Sequence, residues 1–444
     1  MNINMSVVCD DCSRQTNCRV GMSNRDIQPV RFSCRGCGAI IALDFTVKGA
    51  DGLDNRALLA MLSGKAPRVA RNETGVSYKI TGAYEVALEG KFDETLDFVD
   101  LHLDFPVRFG KYVMGNTPYM AAVGRTGPEE TQFHRLRLHL INERYKSFPL
   151  VARVIDLYGK GHYGPFREFA RKRLKVKVAS NDLKDIDQAL YDIIDSSVHP
   201  FMMPDDPEEN SGLFKRNIAT LLADRREQTL SFMQELTEKK FLDHLHKDCL
   251  KIYRPIFDAE LPLRPALFLD LDRSYVAGTM AMRVSSQDFE QYREVYKDMS
   301  EVLSRQLVLV AGLNNLLKRG DHNAFARRLS KADRDLAPAS LDRYADVALG
   351  NKLLDLDEPW YAIDPSAVDN ELRNAIAHNK IEYEDVGQAI TYYPKLEGME
   401  REKKLQIQLL DYMWRLLSLF RQVHRLHILT RCMRHAVGSA LLRG

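Results

Sequence analysis

Four cysteines near the start of the chain have the spacing of a metal site. Cys9 and Cys12 form one Cys-x2-Cys pair, and Cys34 and Cys37 form a second pair further along. Thiolates are preferred zinc ligands, and each pair can occupy two corners of a tetrahedron. Four thiolates leave no coordination position open for chemistry. We therefore expect one structural zinc ion per chain, held by these four residues, and no catalytic metal.

The remaining cysteines fit other roles. The chain has seven cysteines and begins without a basic and apolar leader, a combination that favours a reducing compartment and metal binding over disulfides. Cys18 lies outside both pairs, as a spectator or a substitute ligand. Cys249 and Cys432 are isolated and are expected to pack in helices. The alternative for the four paired cysteines is burial without metal.

A second group of chemically capable residues lies near position 375. Asp364 followed by Pro365 is a helix-start pattern and predicts a helix over residues 365 to about 378. Asn374 and His378 are then neighbours on one face, with Arg373 at its edge. An imidazole can transfer protons near neutral pH, and a guanidinium can bind two phosphate oxygens. Together these residues could cleave a phosphodiester, with Asn374 orienting its neighbours.

The string Arg373-Asn374-Ala375-Ile376-Ala377-His378 resembles the Arg-x4-His signature of HEPN ribonucleases, in the form with Asn after Arg. The resemblance covers about the last 160 residues. It implies a helical bundle and a metal-independent endoribonuclease that cleaves an RNA substrate by 2'-OH transesterification, with Arg373, Asn374 and His378 as catalytic residues. It also implies a homodimer with a composite site, and a role as an antiviral-defence effector or toxin.

The same segment is also compatible with a structural role. Arg373 could form surface ion pairs with Glu371 or Glu382, and His378 could cap the helix C-terminus, where a cation is favoured. The bundle could also hold an inactive site. The alternative function is then a non-catalytic adaptor that binds nucleic acid or protein through a zinc ribbon and a degenerate HEPN bundle. Cleavage of RNA in EDTA would separate the enzyme from the adaptor.

The elements that must position these groups are predicted from hydrophobic periodicity. Residues 1–47 form a zinc-ribbon-like module with short strands, and Lys48 to Asn55 is a boundary. Residues 56–180 are a mixed α/β region, and residues 181–280 are helical. Residues 285–444 form a HEPN-like four-helix bundle, with helices over about 285–317, 322–355, the motif segment and about 398–438. The predicted fold class is therefore multidomain and mainly α.

Composition adds few constraints on partners. The formal net charge of +2 neither favours nor excludes nucleic acid, so any binding depends on local patches. The last helix carries a basic run that could be a solvated helix end or an RNA-backbone contact: Arg421, His424, Arg425, His427, Arg431, Arg434 and His435. His424 and His427 could also ligate metal, but no carboxylate or thiol partner accompanies them. Without a leader or a long apolar stretch, we expect a cytoplasmic protein with no membrane contact.

Overall fold

The structure is a computed structural model, and it describes most of the chain. The described residues are 2–47, 75–88, 90–204, 207–271, 283–285, 289–331, 335–357, 360–361, 363–364, 367–394 and 403–441. The predicted boundary from Lys48 to Asn55 and the predicted first helical residue Pro365 lie outside these ranges. The described protein is mainly helical and includes several small sheets. Within these ranges, no helix combines the length and the apolar content that a membrane span requires.

The chain forms two compact units, each assembled from three separate stretches. The first unit contains Met1–Lys146, Asp258–Tyr292 and Asn379–Leu417. The second unit contains Ser147–Phe257, Arg293–His378 and Ser418–Gly444. The domain boundaries expected from the sequence, at residues 47, 180 and 280, stay predictions.

The first unit carries the strands. They are β1 (Asn2–Cys9), β2 (Gln15–Gly21), β3 (Ile27–Ser33), β4 (Ile40–Val47), β5 (Val76–Thr81), β6 (Ala83–Val86), β7 (Asp97–Leu101), β8 (Phe109–Gly110), β9 (Ile381–Glu384), β10 (Ala389–Tyr392) and β11 (Leu405–Gln408). They form three sheets, with the strand orders β6-β1-β2-β7-β8, β3-β4-β5 and β11-β10-β9. The β2–β7 pair is parallel, and the other pairs are antiparallel.

One core lies beneath the two N-terminal sheets. In β3 and β4, alternate residues such as Phe32, Leu43 and Phe45 are buried, as expected for strands with one face toward a core. These side chains belong to the same hydrophobic cluster as Val7 of β1 and Leu101 of β7. The strands that flank the cysteines therefore share their core and three of their strand pairings with residues beyond position 47.

The first described helix begins at Pro118, within the region 56–180 that the sequence predicts to be mixed α/β. The helices are α1 (Pro118–Thr126), α2 (Pro128–Arg144), α3 (Phe148–Gly159), α4 (Tyr163–Phe169), α5 (Leu183–Met202), α6 (Pro207–Asp224), α7 (Arg226–Glu238), α8 (Phe241–Leu250), α9 (Tyr253–Asp258), α10 (Glu260–Phe268), α11 (Phe289–Arg319), α12 (Leu341–Ala345), α13 (Leu349–Leu354), α14 (Asn370–Ala377) and α15 (Leu409–Leu441). A 3-10 turn, Tyr145–Ser147, and a π turn, Ala170–Leu174, adjoin α3 and α4. Prolines at the starts of α1 and α2 fit the first helical turn, where a missing N–H costs nothing.

The C-terminal part differs from the simple four-helix arrangement. The long first helix is present as α11, but the described residues of the expected helix over 322–355 form turns, an isolated bridge between Leu329 and Asp335, and the two short helices α12 and α13. Pro338 precedes the Ser340 cap of α12, which explains why no continuous helix forms there. The final helix begins at Leu409 instead of residue 398, after the strand β11. Identification of this region as a HEPN bundle stays a prediction.

Candidate functional site

The four predicted zinc ligands lie together at the ends of strands. Their sulfur atoms are all within 4.8 Å of one another. The Sγ atoms of Cys9 and Cys37 are 3.7 Å apart, and those of Cys12 and Cys34 are 3.5 Å apart. A tetrahedral ion with Zn–S bonds of about 2.3 Å would hold its sulfurs roughly 3.8 Å apart. The geometry therefore suits one tetrahedral metal ion, and Cys18 lies outside the group.

Two tight turns bring the thiols together. In the first turn, the Ser13 N–H donates to the Cys9 carbonyl at 3.0 Å, and Ser13 adopts a left-handed φ of 58°. In the second turn, the Gly38 N–H donates to the Cys34 carbonyl at 2.8 Å. A Cβ atom at Gly36 would lie 2.9 Å from the Arg14 Cδ and 3.0 Å from the Cys12 sulfur, so a larger residue here would displace both side chains. The turns thus impose the geometry that the Cys-x2-Cys spacing predicts.

The environment of the thiols differs from one to another. Burial raises the pKa of the Cys34 thiol, whereas a backbone hydrogen bond from Arg14 lowers the pKa of the Cys12 thiol. A bound cation would favour the thiolate form of both, because a coordinating thiol is deprotonated. Asp97 of β7 braces the site from outside, pairing with Arg14 at 2.5 Å and Arg35 at 3.1 Å. These two arginines are therefore engaged in holding the turns.

The segment with the Arg-x4-His motif forms α14, but this helix starts later than predicted. Its N-cap is Asp369, whose side chain accepts from the Leu372 N–H at 2.9 Å. The Asp364 carbonyl accepts from the Ala367 N–H at 3.1 Å, ahead of the helix. Asp364 and Asp369 are both suitable helix caps. With Asp369 as the cap, Leu372 lies in the first turn with its side chain buried.

The polar residues of the motif occupy the exposed face of α14. Leu372, Ala375 and Ile376 are buried, whereas Asn374 and His378 are exposed. The His378 N–H donates to the Asn374 carbonyl at 3.0 Å, so the two residues lie one helical turn apart. His378 is itself the C-cap residue. Asn374 and His378 therefore lie one turn apart on the exposed face, at the end of the helix.

Arg373 is anchored by a residue that sequence reasoning missed. One guanidinium nitrogen donates to the carboxylate of Glu301 on α11, which lies 72 positions earlier. Another donates to the Asn374 side-chain oxygen at 3.1 Å. The Nε atom is buried without a hydrogen-bond partner among the described residues. An ion pair between residues this far apart cannot be predicted from the local sequence. The spacing predicts Glu371 or Glu382 as the partner of Arg373.

A buried lysine lies close to this ion pair. Lys352 of α13 donates to the hydroxyl of Ser304 at 2.9 Å and to the Ala345 carbonyl at 2.8 Å. Burial lowers the pKa of the Lys352 ammonium to about 8, and the negative charge of Glu301 opposes this shift. Glu301 therefore balances two cations, Arg373 on the exposed helix and Lys352 in the interior.

Two of the three histidines in the basic run of α15, His424 and His427, are not at a solvated helix end. His424 and His427 are buried, and both ring Nδ1 atoms lie within hydrogen-bond distance of the Tyr253 hydroxyl, at 3.0 and 2.7 Å. His427 also lies 2.9 Å from His246 of α8. Burial lowers the pKa of the His424 imidazole to about 3, so the ring is neutral. Across the described residues, the cysteine quartet is the one cluster with metal-ligand geometry.

Comparison of the chain with known protein families, with curated proteins and with solved structures gave no match. The resemblance to HEPN ribonucleases therefore rests on the motif residues and their helical setting.

Proposed function

We propose that this protein is a metal-independent endoribonuclease of HEPN type, with Arg373, Asn374 and His378 as its catalytic residues. The observation that carries the proposal is the exposed pair of Asn374 and His378 beside an arginine held by Glu301. An exposed imidazole and a fixed guanidinium on one short helix could supply a proton-transfer group and a transition-state cation for this reaction.

The chemistry assigns one task to each residue type. An imidazole removes the proton from a ribose 2'-hydroxyl, and the 2'-oxygen attacks the adjacent phosphorus. The bond from phosphorus to the 5'-oxygen breaks, and that oxygen receives a proton from a second imidazole in its acid form. The products carry a 2',3'-cyclic phosphate and a 5'-hydroxyl. Arg373 stabilises the charge on the phosphoryl oxygens, and Asn374 holds the guanidinium or the imidazole in place.

A homodimer would supply the second imidazole. The HEPN resemblance implies that two motif helices meet across a two-fold axis, each contributing one His and one Arg. The exposure of Asn374, Ala377 and His378 on one side of α14 supports such an arrangement, because a face that meets a second copy is open in the single chain. The effector role in antiviral defence belongs to the same proposal and rests on the resemblance alone.

The cysteine quartet has a structural task in this proposal. We assign it one zinc ion, which would fix the two turns against β7. The ion would supply no step of RNA cleavage, because four thiolates fill a tetrahedral shell.

The adaptor is the second candidate, and one observation favours it. The Glu301 carboxylate offsets the charge of Arg373, and an arginine held in an ion pair binds phosphate less strongly than a lone one. An adaptor would bind RNA or a protein without cleaving it.

Incubation of the purified chain with mixed RNA in EDTA separates the two functions. The enzyme predicts fragments with 2',3'-cyclic phosphate ends and loss of cleavage in Arg373→Ala. His378→Ala should also lose cleavage, and His244→Ala is its matched control, since His244 is another exposed histidine of the same unit. Intact RNA that is tightly bound supports the adaptor and contradicts the enzyme.

A further inference from the structure

A cavity of about 470 Å³ lies in the second unit, and its lining residues do not belong to the motif helix α14. Its walls come from the first turns of α5 and α8, the end of α7 and the last turns of α15. Sites for small ligands have volumes of roughly 300 to 1,000 Å³. The size therefore suits one molecule of nucleotide dimensions.

The charge of the cavity is predominantly positive. Its lining includes four permanent cations, which are Lys184, Lys240, Arg431 and Arg434. It includes two carboxylates, Asp187 and Asp243, and both pair with Arg434, at 3.0 and 3.4 Å. Among the described residues, the other three cations have no carboxylate within ion-pair distance. Two lysines and one arginine thus remain available to an anion.

The two arginines are held in fixed positions. Arg431 stacks over the ring of Tyr191, with its guanidinium carbon 4.2 Å from the ring centroid, and donates to Gln188. Tyr191 is completely buried and lies within 3.2 Å of His246 and His427. Tyr191, held by the two buried histidines, therefore forms the surface on which Arg431 packs. A guanidinium that is already ordered loses little entropy on binding an anion.

Two helices begin at the cavity, and their first turns carry the carboxylates of Asp185 and Asp243 as well as backbone N–H groups. The N-cap residues of α5 and α8, Asp182 and Lys240, make no capping hydrogen bond through their side chains. First-turn N–H groups of a helix have no intrahelical acceptor, and they are a common source of hydrogen bonds to phosphate. Both helices contribute first-turn residues to the cavity.

The cavity also has an apolar wall, formed by Leu183, Leu236, Leu242 and Val437. An ion such as free phosphate would leave that wall unused, whereas the body of an organic molecule would cover it. We propose that this cavity binds a small organic phosphate of nucleotide size, with the phosphate against Arg431 and the two lysines. The proposal is independent of RNA cleavage, because it concerns a separate set of residues.

Calorimetric titration of the full chain at low salt with adenosine 5'-diphosphate, and separately with pyrophosphate, tests this inference. Arg434→Ala is a poor probe, because it would leave the buried Asp187 carboxylate with only the Tyr158 hydroxyl as partner in the described part of the chain and would destabilise the unit. The double variant Lys184→Ala/Lys240→Ala removes two exposed cations instead. Its affinity for the bound probe should fall about tenfold or more, as expected for loss of charge-assisted contacts. Lys247→Ala, an exposed lysine of α8 outside the lining, should bind as the wild type does.

Saturable binding of adenosine 5'-diphosphate that is tighter than that of pyrophosphate, that the double variant loses and that the control keeps, supports the site; equal or tighter binding of pyrophosphate contradicts the role of the apolar wall. The inference is overturned if neither probe binds at millimolar concentration, or if the double variant binds with unchanged affinity. Binding of an RNA oligonucleotide without binding of either small probe would also overturn it, because the surface would then be a backbone contact.

Discussion

Replacement of Cys34 by serine tests the cysteine quartet most sharply. The Cys34 side chain is fully buried, and its sulfur lies 3.5 Å from that of Cys12. Structural zinc contributes roughly 10 to 16 kcal/mol in small metal modules, or about 3 kcal/mol for each of four thiolates. Loss of one thiolate should therefore weaken zinc binding about 100-fold. A buried hydroxyl without a partner adds a cost of about 1 to 3 kcal/mol.

Cys18→Ser is the matched control, because Cys18 is buried in the same core but lies outside the quartet. Both variants carry the hydroxyl cost, and Cys34→Ser alone carries the loss of a ligand. Competition with a chromophoric chelator measures the affinity, and thermal unfolding with and without EDTA measures the stability. Because β1 and β2 pair with β6 and β7, the loss of order should extend beyond residue 47. Equal zinc affinity in the two variants would refute the assignment of Cys34 as a ligand.

Three further predictions concern the second unit. Arg373→Ala should lower RNA cleavage by about 100-fold or more, whereas Asn374→Ala should retain measurable activity because Asn374 only orients its neighbours; single-turnover rates measure both. Glu301→Ala should lower the cleavage rate about tenfold by releasing Arg373, and Glu294→Ala on the same helix should not; a faster Glu301→Ala enzyme would contradict a positioning role. Asp195→Asn should change the pH dependence of stability, because burial raises the pKa of the Asp195 carboxyl from 3.8 to about 6. The contribution of Asp195 to the free energy of unfolding is therefore fully present below a pH of about 4, and it is lost as the pH rises through about 6. The melting temperature of Asp195→Asn should exceed that of the wild type by an amount that widens from about pH 4 to about pH 7, and a constant difference would contradict the argument.

The features that the sequence predicted correctly depend on local spacing. Each Cys-x2-Cys pair forms its own turn, so the geometry within a pair follows from local spacing. The turns after β1 and after β3 then need only lie side by side for the four sulfur atoms to meet. The long first helix of the C-terminal region, α11, was also predictable, since Tyr292, Val295 and Met299 recur at helical spacing and are buried. Asn374 and His378 are neighbours for the same reason.

The features that escaped prediction depend on distant contacts. Glu301 anchors Arg373 across 72 positions, and nothing near either residue indicates the pair. The basic residues around His424 and His427 in the sequence favour a solvent-exposed surface. In the structure, the Tyr253 hydroxyl is a hydrogen-bond partner for both rings, which allows them to be buried. The start of α14 was misplaced because Asp364 and Asp369 are both good caps, and only the burial of the helix face decides between them.

The rate of RNA cleavage by His378→Ala, relative to the wild type in EDTA, tests the central claim most directly. Removal of a positioned acid or base costs about 10²- to 10⁴-fold in rate, so cleavage should fall close to background. The variant should stay folded, because His378 is exposed at the end of α14 and contributes nothing to the core. Wild-type cleavage by a folded His378→Ala protein, purified free of contaminating nucleases, would contradict the assignment of this helix as the catalytic site.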